Sequence, residues 1–274
     1  SLINNAREDF TPYYLTANHC NSGNPNTWVF EFGYRRSGCG SGGLYQTVQY
    51  TGADLISHWS LSDFALLRLL EPPESGDYIV TYFNGWDRSN DMPNSTTCIH
   101  HPSGDIMKIS HDYESPVICD YLSTTGTSHW KVIWNVGTTE PGSSGAPLFN
   151  TLKNVIGQLH GGYASCSNQN GPDYYGRFNI SWEGGGTPQT RLKDWLDPEN
   201  TGIEVLNGIA LPYLHYGRNI NNGDVRNLTA YDILKIGSNT YAPYTVHPGG
   251  NLSLKAGREI VIRPCSKIVE GSTF

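Results

Sequence analysis

Alternation of apolar and polar positions runs through most of the chain and predicts strands. Residues 27–34 (Thr-Trp-Val-Phe-Glu-Phe-Gly-Tyr) alternate cleanly. Short runs at 1–20, 44–57, 61–70, 78–86, 97–101, 106–111, 130–136, 154–160 and 174–182 continue the pattern, with Gly, Pro, Asn and Ser between them. Pro72-Pro73 stops one run and Gly184-Gly185-Gly186 breaks another. The one helical spacing is Thr190–Leu196, closed before Pro198. Short strands at regular intervals with a late helix predict an all-β fold of two packed antiparallel barrels over residues 1–207. Beyond residue 207 the character changes. Residues 219–227 are rich in turn formers and 249–262 alternate like stacked short strands, so 208–274 are expected to form a small β-rich module, cut off at Phe274. The opening Ser1-Leu2-Ile3-Asn4-Asn5 reads as the inside of a strand and turn, which predicts a processed or partial chain lacking an N-terminal strand.

Composition narrows the class. The 274 residues carry a net charge of −7, only 16% of them are charged, and no basic run occurs, which argues against a nucleic-acid binder. No apolar stretch is long enough to span a bilayer. The six cysteines lie far apart without CxxC spacing, so disulfides in an oxidising compartment are expected rather than a zinc site. Cys20 and Cys39 flank one loop and are paired on that ground; Cys98 and Cys119 are placed to bridge two strands, and Cys166 and Cys265 have no evident mates.

Candidate chemistry concentrates in Glu140-Pro141-Gly142-Ser143-Ser144-Gly145-Ala146-Pro147. A serine among glycines in a tight turn suits an exposed nucleophile, and the Gly142 and Ser144 amides can converge on an oxyanion. A Gly/Ser/Pro surface turn is the plain alternative. Two other stretches weigh against it. Tyr14-Leu15-Thr16-Ala17-Asn18-His19-Cys20 ends an apolar strand in a histidine, the usual base for a serine hydroxyl. Leu61-Ser62-Asp63-Phe64-Ala65-Leu66-Leu67 puts an acid at the mouth of another, where it can orient an imidazole. These three motifs, in the order His, Asp, Ser, resemble trypsin-like serine proteases.

Further strings resemble bacterial lysyl endopeptidase: Gly85-Trp86-Asp87-Arg88, Ile99-His100-His101-Pro102, Thr139-Glu140-Pro141-Gly142-Ser143-Ser144-Gly145, Gly157-Gln158-Leu159-His160-Gly161-Gly162 and Asp194-Trp195-Leu196-Asp197-Pro198. The similarity runs over roughly residues 1–207. It implies a secreted bacterial endopeptidase with His19, Asp63 and Ser144 as its triad, acting on protein or peptide substrates without a cofactor or metal. In that family the fold begins earlier, with a strand and a cysteine that would pair with Cys166. The position six residues before Ser144, acidic in trypsins, is Thr138 here. The resemblance instead places the charge-reading carboxylate at Asp173, with His160, Gly161 and Gly162 lining the same substrate site. The family stacks that histidine on a tryptophan, where this chain has Tyr121-Leu122. Cleavage after Lys is the resulting expectation, with Arg left open. The rivals are a glutamyl-specific protease reading acids through His160, and a non-catalytic adhesion module on a protease fold. A metal site at His100, His101 and His111 is set aside, because no carboxylate or cysteine completes a ligand spacing. The last thirty or so residues resemble a short β module near the C-termini of secreted Bacteroidetes proteins.

Overall fold

The apolar run after Asp63 forms the middle strand of a three-stranded antiparallel sheet, ordered Tyr13–Ala17, Phe64–Leu69, Ala53–Trp59. A strand covered on both faces has no solvent side to alternate with, and every side chain from Phe64 to Leu69 except Arg68 is buried. Pairing Ala17 with Phe64 in register sets the chain ends that lead to His19 and Asp63 side by side. The computed structural model describes residues 1–38, 42–75, 80–122, 126–215, 218–230, 233–237, 243–264 and 266–273.

The chain divides into two compact units, Ser1–Pro73 with Phe83–Ile209, and Glu74–Tyr82 with Ala210–Phe274. The first unit is all-β apart from short helices. Besides the sheet above it holds a hairpin of Val29–Phe32 and Val48–Thr51. It also holds a larger sheet ordered Val117–Cys119, His129–Val132, Asp173–Arg177, Val155–Gly162, Pro147–Phe149, Thr96–His100, Lys108–Asp112. The two packed barrels expected from the sequence correspond to two sheets, antiparallel but for a parallel bridge between Val155 and Trp86, whose ladders stay open among the described residues. One cluster joins Leu15, Phe64 and Leu66 to Trp86, Phe178, Trp182 and Leu196; the other gathers Trp130, Trp134, Leu148, Ile156, Leu159 and Tyr175.

Three sequence expectations are corrected. The strand expected to run to residue 182 stops at Arg177, and Phe178–Glu183 is helical. Phe178, Ser181 and Trp182 fall on one helical face and are buried, with the Trp182 ring 4.8 Å from that of Trp86. The late helix is shorter than expected, Lys193–Leu196. Cys98 and Cys119 do not bridge: both are free. Cys98 lies buried in the Thr96–His100 strand and Cys119 in Val117–Cys119, with four strands between them in the sheet. After Phe149 the chain turns back through a tight connection in which Lys153 N–H bonds Asn150 O and Asn154 N–H bonds Asn150 Oδ1.

In the second unit the strands pair in parallel rather than as hairpins. Tyr213–His215, Ile233–Ile236 and Glu259–Ile262 stack on one face, Asn219–Ile220, Tyr244–Val246 and Ser266–Ile268 on a second, Val225–Ala230 and Asn251–Ala256 on a third. This is a short parallel solenoid, with Ile220, Leu234, Ile236, Tyr244, Val246 and Leu252 inside it. Residues 80–82 belong here because Leu211 N–H bonds Thr81 O and Ser75 Oγ bonds Leu211 O. The expected strand 78–86 lies partly outside the described residues; within them Tyr82–Phe83 and Trp86–Asp87 are extended.

Candidate active site

His19 sits in a single 3-10 turn, Asn18–Cys20, that Asp63 holds from three directions. Asn18 N–H donates to Asp63 O at 2.7 Å, His19 N–H to Asp63 Oδ1 at 2.9 Å, and His19 Nδ1 lies 2.7 Å from Asp63 Oδ2. Asp63 is itself buried and has φ +54, a left-handed conformation that is uncommon outside glycine. The neighbouring backbone is pinned to sustain it. Gln158 Nε2 donates to Ser62 O at 2.7 Å, and Gly176 crosses so close that a Cβ there would fall 1.7 Å from the same oxygen. The hydrogen bond that His19 makes to Asp63, followed by the one it makes to Cys20, raises the His19 imidazole above its ordinary pKa.

Ser144 comes from the opposite sheet. Its Oγ is 2.8 Å from His19 Nε2. Gly145 makes that approach possible: a Cβ there would meet Thr16 Oγ1 at 2.2 Å, so only glycine lets the turn rest against the end of Tyr13–Ala17. Ser143 N–H bonds Glu140 O and Ala146 N–H bonds Ser143 O, which closes the turn. Among the described residues the Gly142 and Ser144 N–H groups donate to no protein group. Ser103 N–H holds Pro141 O at 2.8 Å, and across a trans peptide the Gly142 N–H then points the other way. Two unpaired amides flanking a serine hydroxyl bonded to an imidazole can stabilise an anion formed at that hydroxyl's target.

Asp173 is buried at the start of its strand, paired with Gly162 in the adjacent one. Trp134 Nε1 donates to its Oδ2 at 2.7 Å and Thr139 Oγ1 to the same oxygen at 2.6 Å, and Ala164 N–H also bonds the carboxylate. Burial raises its pKa, with the bonds from Thr139 and Trp134 opposing. Gly162 has no Cβ, which would fall 2.2 Å from Asp173 Oδ1. Gly161 faces Tyr121, whose hydroxyl would lie 3.3 Å from a Cβ there.

His160 approaches the same Asp63 oxygen as His19, with Nε2 3.7 Å from Oδ2, and its ring stacks on His19 at 5.6 Å. Tyr121 meets His160 edge-on at 4.9 Å and stacks flat on Tyr174 at 4.2 Å, so the aromatic neighbour is a tyrosine. His129 Nε2 bonds His160 Nδ1 at 2.9 Å, and burial lowers His129 to about 4. His129, Trp134 and Thr139 are site neighbours the sequence reading missed. No local string in the sequence marks them as polar partners. His19, Asp63 and His160 offer ligand atoms within 4.8 Å of one another, but His19 Nδ1 is already engaged by Asp63 and His160 Nδ1 by His129. His101 and His111 each have their own hydrogen-bond partner, Asp105 O and Thr97 Oγ1. The expected Cys20–Cys39 bridge is not formed at Cys20, which is free with Sγ 3.7 Å from His19 Nε2; Cys39 lies outside the described residues.

Residues 1–176 match the family described as lysyl endopeptidase, C-terminal domain. Among solved structures the chain is similar to the thermostable serine protease AL20 from an extremophilic microorganism, at 13% identity over 65% of this chain and 82% of that one, with a TM-score of 0.43. It is similar to the HtrA-type protease AlgW with a tripeptide, at 15% identity over 70% of this chain and 54% of that one, TM-score 0.42. The MamO protease domain from Magnetospirillum magneticum gives 10% identity over 66% and 83%, TM-score 0.42.

Proposed function

Because the chain belongs to the lysyl endopeptidase family of chymotrypsin-fold serine proteases, we propose that this serine endopeptidase cuts after lysine. In this reading Ser144 is the nucleophile, His19 the base and Asp63 the group that orients it. The observation that carries the reading is the unbroken line of short contacts from Asp63 through His19 to Ser144, beside two unpaired amides. His19 Nε2 takes the Ser144 proton as Oγ attacks the substrate carbonyl, and Asp63 keeps the opposite nitrogen protonated. The Gly142 and Ser144 N–H groups bind the resulting oxyanion. His19 then protonates the leaving amine, and water repeats the cycle on the acyl-enzyme. Family membership supports secretion. Peptides and proteins are the substrates.

The surroundings of Asp173 favour lysine over arginine. A carboxylate offers about four lone-pair sites. Trp134, Thr139 and the Ala164 amide occupy three of them, and Oδ2 already accepts twice. What remains suits a single ammonium donor better than the two-pronged guanidinium fork. The glutamyl reading finds little support at His160, because its two ring nitrogens face His129 and Asp63 rather than a free acceptor site. A cleavage profile of the full chain on a peptide library tests the proposal. Cuts after lysine well above arginine are expected; a preference for glutamate would overturn it.

The acid limb of the pH profile is a second test. His19 must be neutral to take the serine proton, and Asp63 raises its pKa. A raised pKa keeps the imidazole protonated to higher pH, so kcat/KM climbs to its plateau only above the ordinary imidazole range. Asp63→Asn removes the cause, and its limb is expected at lower pH with a much lower plateau. A limb that stays in place in that variant would argue against the pairing.

A further inference from the structure

His100 and His101 stand out in the sequence as a histidine pair, and the reaction above uses neither. His101 is half-buried, whereas His100 is fully buried in the strand Thr96–His100, directly beneath the turn that carries the nucleophile. Its Nδ1 lies 2.9 Å from Ser143 Oγ and its Nε2 3.0 Å from Ser110 Oγ. The directions of these bonds follow from their partners. Ser110 Oγ donates to Thr138 O at 3.2 Å, so it accepts from His100 Nε2–H. Nδ1 is then unprotonated and accepts from the Ser143 hydroxyl, whose oxygen in turn accepts Glu140 N–H at 3.3 Å. Burial foremost, then His101 and Lys108, lowers His100 to about 4, consistent with a neutral ring. One imidazole thus ties both ends of the segment 138–143, which carries the pocket wall at one end and Gly142 at the other.

We propose that His100 is a positioning residue that holds the oxyanion amides in place by anchoring Ser143, the residue between Gly142 and Ser144. The assignment rests on the reading of those two amides as the oxyanion donors. Ser143 is buried and its side chain points into the protein, so its role is to fix the turn and not to meet substrate. The Pro141–Gly142 peptide, which carries the Gly142 N–H, is held by Ser103 at Pro141 O, and the anchored Ser143 side chain limits rotation of the Ser143–Ser144 peptide, which carries the Ser144 N–H. Both N–H groups are then aimed before substrate arrives.

Two substitutions in the full chain separate the arms of the anchor. His100→Asn keeps an acceptor where Nδ1 stands; His100→Gln keeps a donor near Nε2 and drops the Ser143 contact. For His100→Gln, kcat on a lysyl amide is expected to fall on the order of 10²-fold with KM nearly unchanged, as for a misplaced oxyanion donor. Affinity for a lysyl boronate, which forms a charged tetrahedral adduct, should fall in parallel. His100→Asn should retain most of both. Ser143→Ala, a small change in volume, should match His100→Gln, and combining the two should add no further loss. Melting curves follow the folding of each variant. The assignment is overturned if Asn and Gln are impaired equally, if the loss is in KM alone, if His100→Gln is as active as the parent, or if the losses track unfolding. Organophosphate labelling of Ser144 in the parent reports on the nucleophile separately: its absence would break the triad reading and not the anchor alone.

Discussion

Replacing Ser144 by alanine is expected to lower kcat on the order of 10⁶-fold while the fold persists, because no second group can take over the acyl transfer. Among the described residues the removed hydroxyl makes one hydrogen bond, with His19 Nε2 at 2.8 Å, so its loss leaves the surrounding packing alone. An organophosphate should label Ser144 and spare Ser143, whose hydroxyl is buried and engaged by His100. Residual turnover near that of the parent, or label on Ser143, would remove Ser144 from its role.

The second large effect is expected at Asp173. Asparagine preserves the shape but changes what the pocket presents. Its oxygen can keep the bonds from Trp134 and Thr139, which then turns an amide N–H toward the incoming ammonium and toward Ala164 N–H. A lysyl side chain would meet donors only. The loss in transition-state binding should be on the order of 2–5 kcal/mol for a close, desolvated charge pair. It should appear in kcat/KM for lysyl substrates and be much smaller for substrates with a neutral side chain. Equal cleavage of lysyl peptides by parent and variant would sink the pocket assignment.

Much of the candidate site was legible because each part is written in a short local string. A glycine-flanked serine, a histidine closing an apolar strand and an acid opening another are contiguous signals, and the structure brings His19, Asp63 and Ser144 into hydrogen-bond contact. Asp173 was readable only through its family context. The groups that support these residues were not legible. His129 reaches His160, and His100 reaches Ser143, across sheet partners set by pairing order, which alternation does not encode. The helix Phe178–Glu183 was mistaken for strand because its apolar positions continue the run of the strand before it, and tertiary packing around Trp86 decided the outcome. In the second unit the strands were visible but their parallel stacking was not, since it depends on residues some two dozen positions apart.

The density of ladders in both units bears on how long such an enzyme survives its own company. The chain has seven lysines, at 108, 131, 153, 193, 235, 255 and 267, and none in its first hundred residues. Six are locked in strands or in the helix Lys193–Leu196, where the backbone cannot be lifted into another molecule's cleft without undoing its pairing. Lys153 alone is in a turn, and there φ is +65 and its own N–H is held by Asn150 O. On the proposed lysine selectivity, the enzyme meets almost no cuttable bond among these lysines in a folded copy of this chain, and autolysis at them becomes a measure of unfolding rather than of collisions between active molecules.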